Sequence, residues 1–485
     1  MKNVLIVDDD EKICWAFEQF LESEGFYPSI ANNAEEGLRK IQAEQPDIIF
    51  LDVRLPGMNG LEALEQIKEL QSNAPVVIMT AYDDVETTIE AMRLQAFDFL
   101  PKPIDLDAVK EILHRASKTQ TERRKITDGT TSTPSADPSQ HGSGTQEHRL
   151  VGKSEQMREI YKLIGVMASN TITVLIEGDT GTGKELVAQA IHVNSARKDG
   201  PFISVNCGAL PDELLESELF GYEAGAFTGA KAKGKPGRFE IAGGGTLFLD
   251  EVSNMSPALQ IKLQRALQEQ EIERLGGTRT LKTNVRVLAA TNQDLAEMAK
   301  LGLFRQDLYY RFKRLAIHLP PLRERTEDIT LLVDHFLKLI SAELGKTITG
   351  VSDDCLGMLE GYDWPGNVRE LENALRSAAV LSRSDVILPE HLPPDIVNFE
   401  RRSESNRALL EQSLESILQA TVKDALAQER ETLYDEVINA VDSALIRLII
   451  DKFGQNQTET AKLLGISRTT LAQRIRKLEL HLGNS

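Results

Sequence analysis

The chain has 485 residues, too many for one hydrophobic core, and typical domain sizes predict roughly three modules. Hydrophobic residues at 41% and charged residues at 27% match ordinary globular modules and exclude a disordered or collagen-like chain. A formal charge of -19 excludes a protein that coats nucleic acid over its whole surface, so any DNA contact must sit on a local basic patch.

Cys14, Cys207 and Cys355 are scattered and lack metal-ligand spacing, which fits a reducing compartment without a disulfide framework. No apolar run approaches the ~18 residues that span a bilayer. The apolar run at residues 4–7 leads straight into acids rather than into a signal peptide. The expectation is a cytoplasmic protein with no membrane partner.

Over residues 1–118, β-branched runs at 4–7, 48–51 and 76–79 alternate with helix-patterned stretches, the signature of a parallel α/β sheet. Residues 119–148 are rich in Thr, Ser, Gly and Pro and nearly free of apolar side chains, so they read as a flexible linker. A second α/β pattern fills 149–388, with strands expected at 173–177, 202–205, 246–249 and 286–290 and helices after them. Residues 389–431 form a Pro-bearing, charged helical connector, for whose 403–430 stretch no function is read, and 432–485 a last helical module.

In open parallel sheets ligands sit beyond the carboxyl ends of the strands. Asp8, Asp9 and Asp10 follow the first strand and Asp52 ends the IIFLD strand. Converging carboxylates repel unless a cation neutralises them, which predicts Mg²⁺ beside Asp52. Thr80, at the end of VVIMT, and Lys102, in FDFLPKP, add a hydroxyl and an ammonium suited to a bound phosphate. A lone Asp is usually a solvated loop residue, but this ordered set is not. With Phe99 it resembles the receiver domain of two-component response regulators, a flavodoxin-like doubly wound fold. The resemblance implies that Asp52 is the phosphoacceptor for a sensor histidine kinase and that Asp8 and Asp9 hold Mg²⁺. It also implies that Thr80 and Lys102 bind phosphoryl oxygens and that Phe99 is the rotating switch aromatic.

In the second module the strand TVLIE runs into GDTGTGK, a phosphate-binding loop of Gly178, Asp179, Thr180, Gly181, Thr182, Gly183 and Lys184. Its backbone N–H groups are suited to wrap phosphate oxygens, with Lys184 reaching the terminal ones. The next residue is Glu185, where a Ser or Thr would ordinarily ligate Mg²⁺. A second acidic site follows, because the apolar strand TLFLDE ends in Asp250 and Glu251. These two are placed to hold Mg²⁺ and to activate water, and together they predict ATP hydrolysis.

Residues 149–388 resemble the AAA+ ATPases of the NtrC-type sigma-54 activators, a P-loop α/β domain with a helical lid, in which Glu at position 185 is ordinary. The resemblance implies that Asn292 in ATN is sensor one, Arg369 in WPGNVREL sensor two, and Asn206 the partner that restrains Glu251. It makes Arg305 and Arg311 of FRQDLYYRF arginine fingers directed at a neighbouring subunit, and so implies a ring, a hexamer or heptamer. Arg suits that task because its rigid guanidinium spreads charge over phosphoryl oxygens, although a single Arg is more often a surface ion pair. The hexapeptide GAFTGA comprises Gly225, Ala226, Phe227, Thr228, Gly229 and Ala230. A glycine-rich segment around one aromatic is poor core material and suits a mobile tip or a plain hairpin turn. In the sigma-54 activators this hexapeptide engages the sigma factor, which makes Phe227 and Thr228 its contacts.

Near the end, TETAKLLGISRTTLAQRIRKLEL has the spacing of a helix-turn-helix, with Gly465 at the turn and Ser467 as N-cap. The second helix offers Arg468, Thr469, Thr470, Gln473, Arg474 and Lys477 to double-stranded DNA. Lys452, Lys462 and Arg476 make the patch locally basic. The module resembles the dimeric Fis-type DNA-binding domain, and Val437, Val441, Leu445 and Leu448 supply apolar positions for core and pairing. The whole reads as a multidomain α/β plus all-α protein. Its expected function is a phosphorylation-gated ATPase that binds upstream DNA and opens promoters held by sigma-54 RNA polymerase. A DNA-binding repressor with a degenerate ATPase, or an AAA+ unfoldase or helicase, explains fewer of these motifs.

Overall fold

The computed structural model describes residues 2–70, 74–81, 84–126, 150–226, 234–382 and 385–399, and, further on, 438, 441–443, 446, 449, 460–461 and 464–477. The chain divides into two compact units, Met1–Val397 and Asn398–Ser485.

The first unit opens with β1 (Asn3–Val7), α1 (Glu11–Ser23), β2 (Tyr27–Ala31), α2 (Ala34–Glu44), β3 (Ile48–Asp52) and α3 (Gly60–Glu69). It continues through β4 (Val76–Ala81), α4 (Val85–Arg93), β5 (Asp98–Lys102) and α5 (Leu106–Ile126). The strands make one parallel sheet in the order β2-β1-β3-β4-β5. Every residue of β3 is buried, as a strand covered on both faces requires. Alternate side chains feed two cores, one around Leu5, Leu51, Ile78 and Leu64, the other around Ile6, Phe50, Phe17 and Leu113. Helix starts are fixed by side-chain caps. Asp10, Asn33 and Asp84 accept from first-turn N–H groups, and Asn59 with Glu62 forms a capping box. Helix α5 reaches Ile126, past the linker start expected at 119, because residues 119–126 carry good helix formers and no Gly or Pro.

Next come α6 (Glu155–Ala168), β6 (Val174–Glu177), α7 (Lys184–Val193), β7 (Phe202–Asn206), α8 (Asp212–Phe220), β8 (Gly221–Tyr222), β9 (Lys235–Pro236) and α9 (Arg238–Ile241). These lead into β10 (Thr246–Asp250), α10 (Pro257–Glu269), β11 (Glu271–Glu273), β12 (Thr280–Lys282), β13 (Arg286–Thr291), α11 (Leu295–Lys300), α12 (Gln306–Phe312) and β14 (Ala316–His318). The main sheet is again parallel, in the order β14-β6-β13-β10-β7. Its four longer strands are those expected from the apolar runs.

A helical lid follows, with α13 (Ile329–Leu344), β15 (Gly350–Val351), α14 (Asp353–Gly361), α15 (Asn367–Leu381) and β16 (Val386–Ile387). Its core is built on Trp364, fully buried, whose indole N–H donates to Leu359 O at 2.7 Å. Truncating such a side chain to Ala typically costs about 3–5 kcal/mol.

In the second unit α16 (Arg468–Lys477) buries Leu471 and Ile475 with Ala461 and Ile446. Gly465 makes the preceding turn at φ +63°, a backbone conformation that favours glycine. The 403–430 stretch and the expected pairing positions Val437, Leu445 and Leu448 lie outside the described residues, as does most of the 119–148 linker. Among the described residues no helix is long and apolar enough to cross a membrane.

Candidate functional site

At the carboxyl edge of the first sheet the order of strands brings Asp8, Asp52 and Lys102 together. Lys102 Nζ lies 2.7 Å from Asp8 Oδ2 and 2.9 Å from Asp52 Oδ2. Asp8 and Asp52 are buried, while Asp9 is exposed. Burial pushes the Asp52 carboxyl above its usual range, outweighing the hydrogen bond and charge of Lys102. One oxygen each from Asp8, Asp9 and Asp52 lies within 4.8 Å of the others, an all-oxygen donor set that fits a Mg²⁺ retaining several waters. Thr80 is buried in β4, level with Pro101 of β5. Phe99, on the same strand, is turned into the fold.

In the second sheet the phosphate-binding loop joins β6 to α7, and Gly183 begins the helix at φ +102°. Lys184 Nζ donates to the carbonyls of Gly178 and Asp179 at 2.8 and 3.0 Å. Burial pulls its ammonium below the usual lysine range against the attraction of Asp250 and Glu251, and Arg369 adds to the lowering. Asn292 Nδ2 donates to Thr180 Oγ1 at 3.1 Å, which brings the end of β13 onto the loop. Glu185, one residue into α7, is exposed.

Asp250 accepts from the Glu251 N–H at 3.0 Å, and Glu251 sits at φ +55°. Such a left-handed residue is costly for a non-glycine and clusters at functional sites. The Glu251 carboxylate accepts from Asn254 Nδ2 at 3.1 Å. Asn206 lies level with Asp250 in the neighbouring strand, but its Oδ1 accepts from the Gly208 N–H at 2.8 Å. Asn254 is therefore a site residue that motif reading passed over. Its signal was its place three positions after Glu251, where a tight turn returns the side chain.

Arg305 caps α12 from an exposed position and forms a paired contact with Asp307, the shorter bond 2.7 Å. Arg311 donates to Leu267 O within its own subunit, and burial lowers its pKa, with Arg314 adding to the effect. Arg311 and Arg314 line a cavity of ≈ 180 Å³.

Of the GAFTGA hexapeptide, Gly225 and Ala226 are described, while Phe227, Thr228, Gly229 and Ala230 lie outside the described residues. The root of that segment is a short antiparallel pair, β8 with β9. Arg274, beyond β11, clasps it by donating to Glu240 at 2.9 and 2.7 Å and to Glu223 at 3.3 Å.

In the second unit Ser467 Oγ accepts from the Thr470 N–H at 3.1 Å and caps α16. Arg468, Thr469 and Gln473 are exposed along the helix, and Thr470 is half-buried. Arg474 pairs with Asp442 at 2.8 Å. The side chain of Lys477 lies outside the described residues.

Residues 4–114 match the response regulator receiver domain, 150–318 the sigma-54 interaction domain, 323–409 the AAA+ ATPase lid domain and 438–478 the bacterial regulatory protein, Fis family. The transcriptional regulatory protein ZraR of Salmonella typhimurium is 40% identical over 474 residues, covering 98% of each chain. The regulatory protein AtoC of Escherichia coli is 40% identical over 482 residues, again 98% of each. The DNA-binding transcriptional regulator NtrC of Azospirillum brasilense is 38% identical over 484 residues, covering 99% of this chain and 98% of that one. A crystal structure of NtrX from Brucella abortus in complex with ATP aligns with a TM-score of 0.50 and 30% identity, covering 99% of this chain and 100% of that one.

Proposed function

The chain belongs to the NtrC-type sigma-54-dependent response regulators, and from that membership we propose how its parts are coupled. It is a transcriptional activator regulated by a receiver domain, with an AAA+ ATPase and a Fis-type helix-turn-helix for DNA.

In our reading a sensor histidine kinase phosphorylates Asp52. Asp8, Asp9 and Asp52 would hold a Mg²⁺, which would supply positive charge to offset the clustered carboxylates and the phosphoryl oxygens. Lys102 and Thr80 then turn to the phosphoryl group, and Phe99 repacks with them. The change shifts the assembly equilibrium of the ATPase from dimers to a ring, a hexamer or heptamer, in the cytoplasm.

ATP binds to the loop from Gly178 to Lys184, where Asp250 would hold a Mg²⁺ and Glu251 is the base that takes the proton of the attacking water. Asn292 and Arg369 sense the terminal phosphate, Asn206 restrains Glu251 in one nucleotide state, and Arg305 and Arg311 reach the neighbouring subunit's site. Hydrolysis drives the GAFTGA tip, Phe227 and Thr228 foremost, against sigma-54, while Arg468, Thr469, Thr470, Gln473, Arg474 and Lys477 hold the assembly on upstream DNA. The observation that carries this reading is the convergence of Lys184, Asp250, Glu251, Asn292 and Arg369 around one phosphate-binding loop.

The test is ATPase rate against protein concentration, with and without beryllofluoride, for the parent protein, Glu251→Gln and Phe227→Ala. The expected result is a cooperative rise with concentration that beryllofluoride enhances. Glu251→Gln should lose about 10²–10⁴ in rate, as loss of a general base does. Phe227→Ala should hydrolyse ATP yet fail to open sigma-54 promoters. A rate per subunit independent of concentration in every state would refute the ring.

A further inference from the structure

Three consecutive carbonyls of the phosphate-binding loop are occupied by donors from the lid. Thr180 O accepts from Asn367 Nδ2 at 2.9 Å, Gly181 O from the Arg369 N–H at 3.4 Å, and Thr182 O from Arg325 Nη2 at 3.2 Å. Across a trans peptide the C=O and the following N–H point in opposite directions. A donor that holds a carbonyl toward the lid therefore aims the next N–H away from it. The N–H groups so aimed are those of Gly181, Thr182 and Gly183, of which that of Thr182 also reaches Asp179 O at 3.4 Å, and loop amides of this kind are what bind phosphate.

We infer that Asn367 and Arg325 are positioning residues that set the peptide planes of the phosphate-binding loop from the lid, making lid placement and phosphate affinity one property. This rests on the ATPase reading and extends it to two residues whose hydrogen bonds run to the loop's backbone.

Asn367 is built for this task. It is fully buried at φ +53°, a conformation asparagine tolerates better than most residues. Its amide is fixed at both ends, because Oδ1 accepts from the Leu322 N–H at 2.8 Å while Nδ2 serves Thr180. Arg325 is buried as well, and its Nη1 rests on Met157 Sδ at 3.0 Å. A buried guanidinium is costly to desolvate, and here it serves a backbone carbonyl of the loop. The contact is also flush. A Cβ on Gly181 would lie 2.2 Å from Gly366 O, so only glycine lets the start of α15 sit against the loop.

The experiment uses the full-length protein. Asn367→Asp keeps the size and the acceptor for Leu322 but sets an acceptor against Thr180 O. Its KM for ATP and its Kd for a fluorescent ADP should rise about tenfold, the scale of one lost hydrogen bond with an opposed acceptor, while kcat at saturation stays near that of the parent. Amide hydrogen exchange across residues 178–184 without nucleotide should quicken more than that of the lid helices, and the nucleotide-free melting temperature should fall by a few degrees, as the loss of one buried hydrogen bond requires. A purely structural lid residue would also lower that temperature but leave KM alone. Should Asn367→Asp not fold, Asn367→Gly, which relieves the left-handed backbone, is read by the same two measurements. Parent-like KM and parent-like exchange in a folded variant overturn the inference. Absence of hydrolysis in the parent would strike the ATPase reading instead and leave exchange to judge the clasp.

Discussion

Lys162 of α6 lies with its ammonium 5.1 Å from the centre of the Phe99 ring and 2.7 Å from Asp98 Oδ1. The ATPase side of the unit thus supplies a cation to the face of the aromatic expected to switch, and an ion pair to the buried acid before it. Arg115 completes the pairing of Asp98. The two helices behind this contact, α4 and α6, are pressed together, since a Cβ on Gly165 would lie 2.5 Å from Ile89 O.

Gly165→Leu should therefore part receiver from ATPase without touching either active site. Leu is a far better helix former than Gly, by roughly 1 kcal/mol, so α6 itself should hold. If the docked receiver restrains assembly, ATPase activity in the absence of beryllofluoride rises toward the level with it, and Lys162→Ala moves the same way. Unchanged activity in both variants, with gel filtration also unchanged, would show that the contact does not gate the ATPase.

A pH dependence follows from His192. It is buried, its Nδ1 is 2.9 Å from Thr246 Oγ1, and its pKa is lowered by burial first and by the neighbouring Arg286 guanidinium second. The folded protein refuses a proton that the unfolded chain accepts below about 6.5. Stability is thus complete above the unfolded value and declines as pH falls from there toward the lowered folded value, with a slope of at most about 1.4 kcal/mol per pH unit for one proton. Thermal melts of the nucleotide-stabilised transition should show this decline, and His192→Gln should flatten it. A parallel decline in the variant would assign the effect to other groups.

Much of this was legible in the sequence because chemistry at strand ends needs fixed residue types after apolar runs. IIFLD and TLFLDE announce both the strand and the acid that ends it, and GDTGTGK announces its own loop. The strands β2 and β14 were harder, since YPSIA and AIH carry little apolar signal and are strands only because neighbours supply partners. Asn367 and Thr180 meet across 187 positions, and no local spacing encodes such a contact. Asn254 was passed over for the opposite reason. Its bond to Glu251 is local, but it depends on the left-handed backbone at Glu251, which residue type does not reveal.

On the DNA side, Arg468 is exposed in the first turn of α16, whereas Arg474 is paired with Asp442. Arg468→Ala should weaken operator binding and reduce the slope of log affinity against log salt by about one, as loss of a single phosphate contact does. Arg474→Ala should change that slope less, because its charge is already partly matched. Titrations across a salt series distinguish the two, and equal slopes for both variants would contradict the assignment.

Arg274 offers a way to separate hydrolysis from remodelling. Its guanidinium binds Glu240 beside the root of the GAFTGA segment and Glu223 within that root, and the bond to Arg274 is the foremost cause of the lowered Glu240 pKa. Arg274 also lies just beyond β11, in the connection to β12. The Glu223 N–H donates to Leu275 O at 3.0 Å, which ties the root to the connection between β11 and β12. Arg274→Met keeps most of the side-chain volume and removes the clasp. Partly exposed ion pairs of this kind contribute about 1 kcal/mol or less to stability, so the fold should persist and the ATPase rate should stay within about twofold of the parent. Open-complex formation on a sigma-54 promoter should fall much further, because a tip on a loosened root transmits less of the motion driven by hydrolysis. Equal losses of ATPase and of open complexes would instead place Arg274 in the hydrolytic machinery.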